Sequence, residues 1–186
     1  MYFAQGLWTF VTQPIPLLVL AAAALTCWPL GVLLARRCHC PRAAAALFIA
    51  ATGVVVALTL TPNPPEPAPY PHFLTLLHHA PGQLRVQVFG PPTDLEQLAN
   101  IALYVPVGAF GRLVWPGVWR ATLVGVALTA TIELCQYDII GRAGSLTDIR
   151  NNTVGALGGA VLAAAAIHLG RRERGNLLQI LFRARG

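Results

Sequence analysis

Residues 14–35 read PIPLLVLAAAALTCWPLGVLLA, twenty-two positions without a single charge. A helix advances about 1.5 Å per residue, so about twenty apolar residues are enough to cross the hydrocarbon of a bilayer. This stretch is therefore read as a membrane span, and the rest of the chain repeats the pattern. Residues 43–61 supply nineteen more uncharged positions. A third span runs from about Leu98 to Trp115, a fourth from about Trp119 to Tyr137, and a fifth over 151–170. The expected fold is all-α: a polytopic transmembrane helical bundle of about five spans in a single membrane domain, 1–186.

Composition agrees. The 186 residues are 55% hydrophobic and 11% charged, with a mean hydropathy of +0.60, whereas soluble domains carry about 25% charged residues. Soluble enzymes, coiled coils and disordered tails are excluded. No positively charged segment precedes the first span, because the first basic residue is Arg36, so that span is read as retained rather than cleaved.

Thirteen arginines and no lysine stand against seven acids, giving a net charge of +6. In a multi-pass chain the basic residues chiefly set orientation. With the N-terminus outside, Arg36, Arg37, Arg42, Arg112, Arg120 and the five arginines of the 171–186 tail fall on the cytoplasmic side. Only Arg85, Arg142 and Arg150 remain outside, a ten-to-three division that supports this topology. Nucleic-acid binding is the rival explanation of the basic balance, and the hydropathy argues against it.

Residues 62–97 form an outer loop that holds nine of the fifteen prolines. Its PYPHFLTLLHHA segment has the makings of a short interfacial helix, and LRVQVFG alternates like a strand. His72, His78 and His79 fit amphipathic placement better than a metal site. Cys38-His39-Cys40 matches no familiar zinc spacing, and no metal or cofactor is expected.

Two helix starts are legible. Thr93-Asp94-Leu95-Glu96 has capping-box spacing, which puts the start of the third helix ahead of its apolar run. Ser145-Leu146-Thr147-Asp148 repeats the arrangement with a shorter acid, and starts the fifth helix near Leu146.

Polar side chains inside spans carry the functional signal. An acid or base at mid-membrane costs about 2.5–3.5 kcal/mol on insertion scales, so such residues face protein or water. Glu133 has Gln136 and Thr129 on its own face of the fourth helix. Asn100 and Tyr104 are one turn apart in the third, where Pro106 frees a carbonyl. Asp148, Asn152, Gly155 and Gly159 form one stripe of the fifth, polar at its start and Gly-xxx-Gly at its end, a pattern that allows close helix approach. In the topology above, Asn100, Glu133, Gln136, Arg142, Asp148 and Asn152 all belong to the outer third of the membrane. They are the candidate ligand-binding residues; Pro106, Gly108, Gly155 and Gly159 are the candidate packing residues. The alternative is a helix lock in which Arg142 bridges Glu133 and Asp148.

NIALYVPVGAF (100–110), IELCQY (132–137), GR (141–142) and DIRNNTVGALGG (148–159) occur in that order. Together they resemble the VanZ-like family of small bacterial membrane proteins, and AAAALFIAATGVVVALTLTP (43–62) is similar to the first helix of its conserved region. The resemblance covers about 43–170 and leaves 14–35 as an additional N-terminal span. It implies a helical bundle in the bacterial plasma membrane and, from the founding member, low-level resistance to the glycopeptide teicoplanin. It implies no settled reaction, cofactor or catalytic residue. Asn100, Pro106 and Gly108, then Glu133 with Gln136, then Arg142, Asp148, Asn152 and Gly155, match family positions. Ser145 stands where many members carry an acid, and Arg150 where an apolar residue is expected.

Three functions compete. One is a binding or modulating protein of the cell envelope, holding a lipid headgroup or lipid-linked wall precursor against Arg142, whose fork suits phosphate and carboxylate. The second is an intramembrane enzyme with Glu133 as acid/base and Asp148 or Arg142 steadying charge. It ranks lower because no nucleophile elbow, metal-ligand pair or phosphate loop accompanies them. The third, a small transporter or proton relay through Glu133, lacks internal repeats to support it.

Overall fold

The computed structural model describes residues 13–61, 90–92, 94–136 and 145–183, with side chains as far as residue 173. The described residues form five α-helices and no strand: α1 (Pro14–Cys38), α2 (Arg42–Thr59), α3 (Leu95–Val114), α4 (Val118–Gln136) and α5 (Leu146–Arg183). The anticipated interfacial helix, the strand, and His72, His78 and His79 lie outside the described residues.

Helix ends follow local chemistry. Pro14 stands at the first helical position of α1, where a missing N–H costs nothing. At the other end His39 takes a left-handed conformation, φ 54°, and Cys40 N donates to the Ala35 carbonyl at 3.3 Å. Pro41 then prevents the helix from continuing. Pro116 forces Trp115 into an extended backbone, φ −109° and ψ 129°. Gly117, at φ 99°, completes the turn into α4.

The third helix starts one residue later than the capping box at Thr93 predicts. Asp94 is the cap: its Oδ1 accepts from Gln97 N at 2.9 Å, and its Oδ2 from Gln97 Nε2 at 3.0 Å. The two registers overlap in sequence, and a carboxylate that accepts two bonds is the stronger cap. Ser145 caps α5 as expected, its Oγ accepting from Thr147 N at 3.1 Å.

Side-chain contacts give the direction of each helix. Gly31 of α1 meets Ala46 of α2, and Gly53 of α2 meets Ala23 of α1, so these two are antiparallel. Gly111 of α3 lies against Phe48 of α2 and Ala121 of α4. Phe48 packs edge-on against Trp115, ring centroids 5.0 Å apart. Gly125 and Thr129 of α4 meet Ala156 and Asn152 of α5, again antiparallel. The close pair α3 and α5 runs parallel: Gly155 abuts Ile101 and Tyr104, and Gly159 abuts Val105 and Ala109. Every helix thus reverses the one before it. One end of the bundle collects Asp94, Glu96, Glu133 and Asp148; the other collects Arg36, Arg37, Arg42, Arg112, Arg120, Arg171 and Arg172.

Four helices, α1, α2, α4 and residues 146–173 of α5, are long and apolar enough to cross a membrane. The third helix is long enough but too polar, although it runs beside α5 in step. It packs against α2, α4 and α5, so its polar residues have protein neighbours, and hydropathy understates its fit to the bundle. Tyr104, Val107 and Val114 of α3 are at most 2% exposed. At about 1.5 Å per residue the 38-residue α5 far exceeds a hydrocarbon layer of about 30 Å, so it projects beyond the basic end.

Candidate functional site

The α3–α5 seam brings the polar residues together. Gly108, Gly155 and Gly159 have no room for a side chain: a Cβ at Gly108 would fall 2.8 Å from Ala156 Cα, and one at Gly159 would fall 2.8 Å from Ala109 N. Backbones this close put the first turns of α3 and α5 side by side. Pro106 lies between these contacts, inside α3.

At the acidic end, Asn100 Nδ2 donates to Asp148 Oδ1 at 2.8 Å. Asp148 therefore does not reach back to its own helix cap. That place is taken from another helix: Ser145 N donates to Glu133 Oε2 at 2.7 Å. The end of α4 thus supplies the acid of the α5 capping arrangement, and Asp148 is released to bind α3. Gln136 Nε2 donates to the Thr59 carbonyl at 2.9 Å, tying α4 to the last turn of α2. Asn152 Nδ2 donates to Thr129 Oγ1 at 2.8 Å. Glu133, Gln136 and Asn152 are all buried. Glu133, Asp148 and Tyr104 lie close together in this layer.

Of the six candidate ligand-binding residues, five meet in this layer; Arg142 lies outside the described residues. The amides of Asn100, Gln136 and Asn152 donate to neighbouring helices. These pairings tie the helices directly to one another; the alternative of an Arg142 bridge between Glu133 and Asp148 lies outside the described residues.

The layer keeps unused capacity. Tyr104 is fully buried, and its hydroxyl stands beside Thr129 without a well-formed hydrogen bond. Asn151 Nδ2 and Asn152 Oδ1 are buried and also unpartnered. Buried polar atoms in this state cost about 1–3 kcal/mol each.

Sequence reasoning left several participants off the candidate site. Tyr104 was visible one turn from Asn100, but aromatic hydroxyls are common in spans. Asn151 was a missed signal beside the chosen Asn152, since two adjacent buried amides require a helix end enclosed on more than one side. Thr59 contributes a backbone carbonyl, which leaves no trace in sequence. Arg150, which breaks the expected apolar pattern, is a fastener. Its Nη1 donates to the Gly90 carbonyl, its Nη2 to Gln97 Oε1 at 3.3 Å, and its Nε and Nη2 to Asn151 Oδ1 at 3.1 and 2.9 Å.

A helical membrane protein with a buried, cross-paired polar layer at one end is the class that fold and site define. The model of the VanZ/LLP1 family matches residues 17–167, most of the chain, and the chain belongs to that family. The matched stretch begins inside α1 and so takes in the first helix. No curated protein and no solved structure matches.

Proposed function

We propose that this VanZ/LLP1 protein acts in the bacterial plasma membrane as a binding or modulating protein of the cell envelope. Its ligand is a lipid headgroup or lipid-linked wall precursor, held at the acidic end of α3, α4 and α5. The excess of arginine at the opposite end orients that site outward, with the N-terminus outside and the C-terminus in the cytoplasm.

One observation carries the reading. Tyr104, Asn151 and Asn152 hold three unpartnered polar atoms in a layer whose other amides are paired. A pure helix lock gains nothing from them, whereas a polar ligand group gains a donor, an acceptor and a hydroxyl. Arg142 is three residues from Ser145, within about 11 Å of chain reach, so it is available for the ligand's phosphate or carboxylate. A protein that withholds a wall precursor or alters its surroundings would lower susceptibility to teicoplanin.

Native mass spectrometry of the detergent-extracted protein tests this. Retained lipid should fall in Arg142→Ala and in Tyr104→Phe; unchanged lipid in both removes the binding reading. The nearness of Glu133 to Asp148 and to the Tyr104 hydroxyl favours a second reading, an enzyme acting on an envelope lipid. In that case Glu133→Gln should keep the lipid and abolish its turnover.

A further inference from the structure

We propose that the basic end of the bundle holds the headgroup of an anionic phospholipid, centred on Arg112 in the seam between α3 and α5.

The first observation is the contrast between the two ends. Arg150, at the acidic end, uses its guanidinium in four hydrogen bonds. Arg36, Arg37, Arg42, Arg112, Arg120, Arg171 and Arg172 at the basic end make no hydrogen bond or ion pair through their guanidinium groups to any described residue. Acids to pair with them are scarce. Of the five acids among the described residues, Asp94, Glu96, Glu133 and Asp148 stand at the other end. Among the described residues only Glu173 accompanies the arginines. Seven described cations against one described anion call for negative charge from outside the protein.

The second observation places the centre. Arg112 lies one helical turn beyond Gly108, which packs on Ala156. It shares a face with Ile101, Tyr104, Val105 and Gly108, the face turned to α5. By the pairing of Gly155 with Ile101 and of Gly159 with Val105 and Ala109, the level of Arg112 on α5 falls at Ala163. There α5 runs through four consecutive alanines, 163–166, of which the first two are half-buried and the last two exposed, so only small side chains stand beside Arg112. The Nε of Arg112 is buried and has no hydrogen-bond partner. A buried guanidinium nitrogen without an acceptor is costly, and a phosphodiester oxygen entering between the helices would satisfy it.

The third observation is position. Trp115 and Trp119 flank the turn next to Arg112, and Trp119 is 72% exposed, as suits the headgroup level of a bilayer. Basic clefts between helices at such a level bind anionic lipid headgroups, and each arginine near the surface adds about a fivefold preference. The occupant is therefore a phospholipid with net negative charge from the surrounding leaflet, rather than a zwitterionic one.

The test is titration of the full-length, delipidated protein in detergent with phosphatidylglycerol or phosphatidylcholine, read by native mass spectrometry. Phosphatidylglycerol should bind at least tenfold more tightly, and added salt should erode the difference. Arg112→Gln should remove most of that preference and Arg112→Lys should keep part of it. The exposed pair Arg42→Gln with Arg120→Gln should lower it by up to about twenty-fivefold without disturbing the fold, a second route if Arg112→Gln does not fold. Tyr104→Phe and Arg142→Ala should leave the preference intact, which separates this site from the one at the acidic end. Equal binding of the two lipids, or full preference in both Arg112→Gln and the double variant, overturns the proposal. So does displacement by soluble glycerol phosphate at the same concentration, which would mark a site for free anions.

Discussion

Gly158 and Gly159 are adjacent on α5, yet adding a methyl group to each should move stability in opposite directions. A Cβ at Gly159 would lie 2.8 Å from Ala109 N and 2.8 Å from Val105 C, with the Val105 carbonyl oxygen nearer still. These are backbone atoms of α3 and cannot rotate away. Ordinary contact begins at 3.4 Å, so α3 and α5 must part by about 0.6 Å at the least. Overpacking of this kind costs about 1–3 kcal/mol. The separation also lengthens the Asn100–Asp148 bond, 2.8 Å at present, and such interhelical bonds in membranes contribute about 0.6 kcal/mol each. Alanine returns up to about 1 kcal/mol of helix propensity, which leaves a net loss of roughly 2 kcal/mol. At Gly158 a Cβ meets nothing within 4 Å, so only the propensity gain remains. At roughly 2–4 °C per kcal/mol for a chain of this size, Gly159→Ala should melt about 4–8 °C below the parent in detergent. Gly158→Ala should melt level with it or slightly above. Circular dichroism against temperature reads both. If Gly159→Ala is as stable as the parent, or Gly158→Ala loses as much, the seam is not packed backbone to backbone.

Three further outcomes follow from the polar contacts. Glu133→Leu leaves the Ser145 N–H without its 2.7 Å acceptor and should cost about 1–3 kcal/mol in thermal unfolding, while Glu133→Gln retains an acceptor and should cost less; equal losses would show that the bond carries no weight. Arg150→Gln removes the link from α5 to the Gly90 carbonyl and to Gln97, so amide exchange over residues 90–97 should quicken while the lower half of α5 is unchanged. Burial and the neighbouring Cys38 push the Cys40 thiol above its ordinary value of 9.0. Because the thiolate is the reactive form, alkylation of Cys40 should still be rising past pH 9, and Cys38→Ser should bring that rise to lower pH.

Helix positions were legible because an apolar run of about twenty residues has few other uses. The start of α3 was not, since Thr93 and Asp94 offer overlapping caps and the choice depends on how many bonds each side chain can accept. The site divides in the same way. Asn100, Glu133, Gln136, Asp148 and Asn152 could be picked out because each is costly in a span. Their partners could not, because pairing depends on the rotation of one helix against another. Asp148 has the spacing to cap its own helix, and only the approach of α3 at the Gly155 and Gly159 contacts offers it Asn100 instead.

The polar character of α3 is best understood from its place among its neighbours. A helix in the middle of a bundle meets few lipids, so the hydropathy that marks α1 and α2 is not required of it. What it requires is complementary chemistry on α2, α4 and α5, and each supplies it in a different form. From α2 comes Phe48, from α4 the small Ala121, and from α5 the glycines and Asp148. The glycines set the distance and Asp148 fixes the phase, so the same stripe of α5 both seats α3 and carries one of the two acids of the polar layer. A substitution that loosens the seam must therefore disturb the polar layer as well, whereas one confined to that layer can leave the seam closed. Gly159→Ala should lower both melting temperature and retained lipid; Tyr104→Phe should lower retained lipid alone.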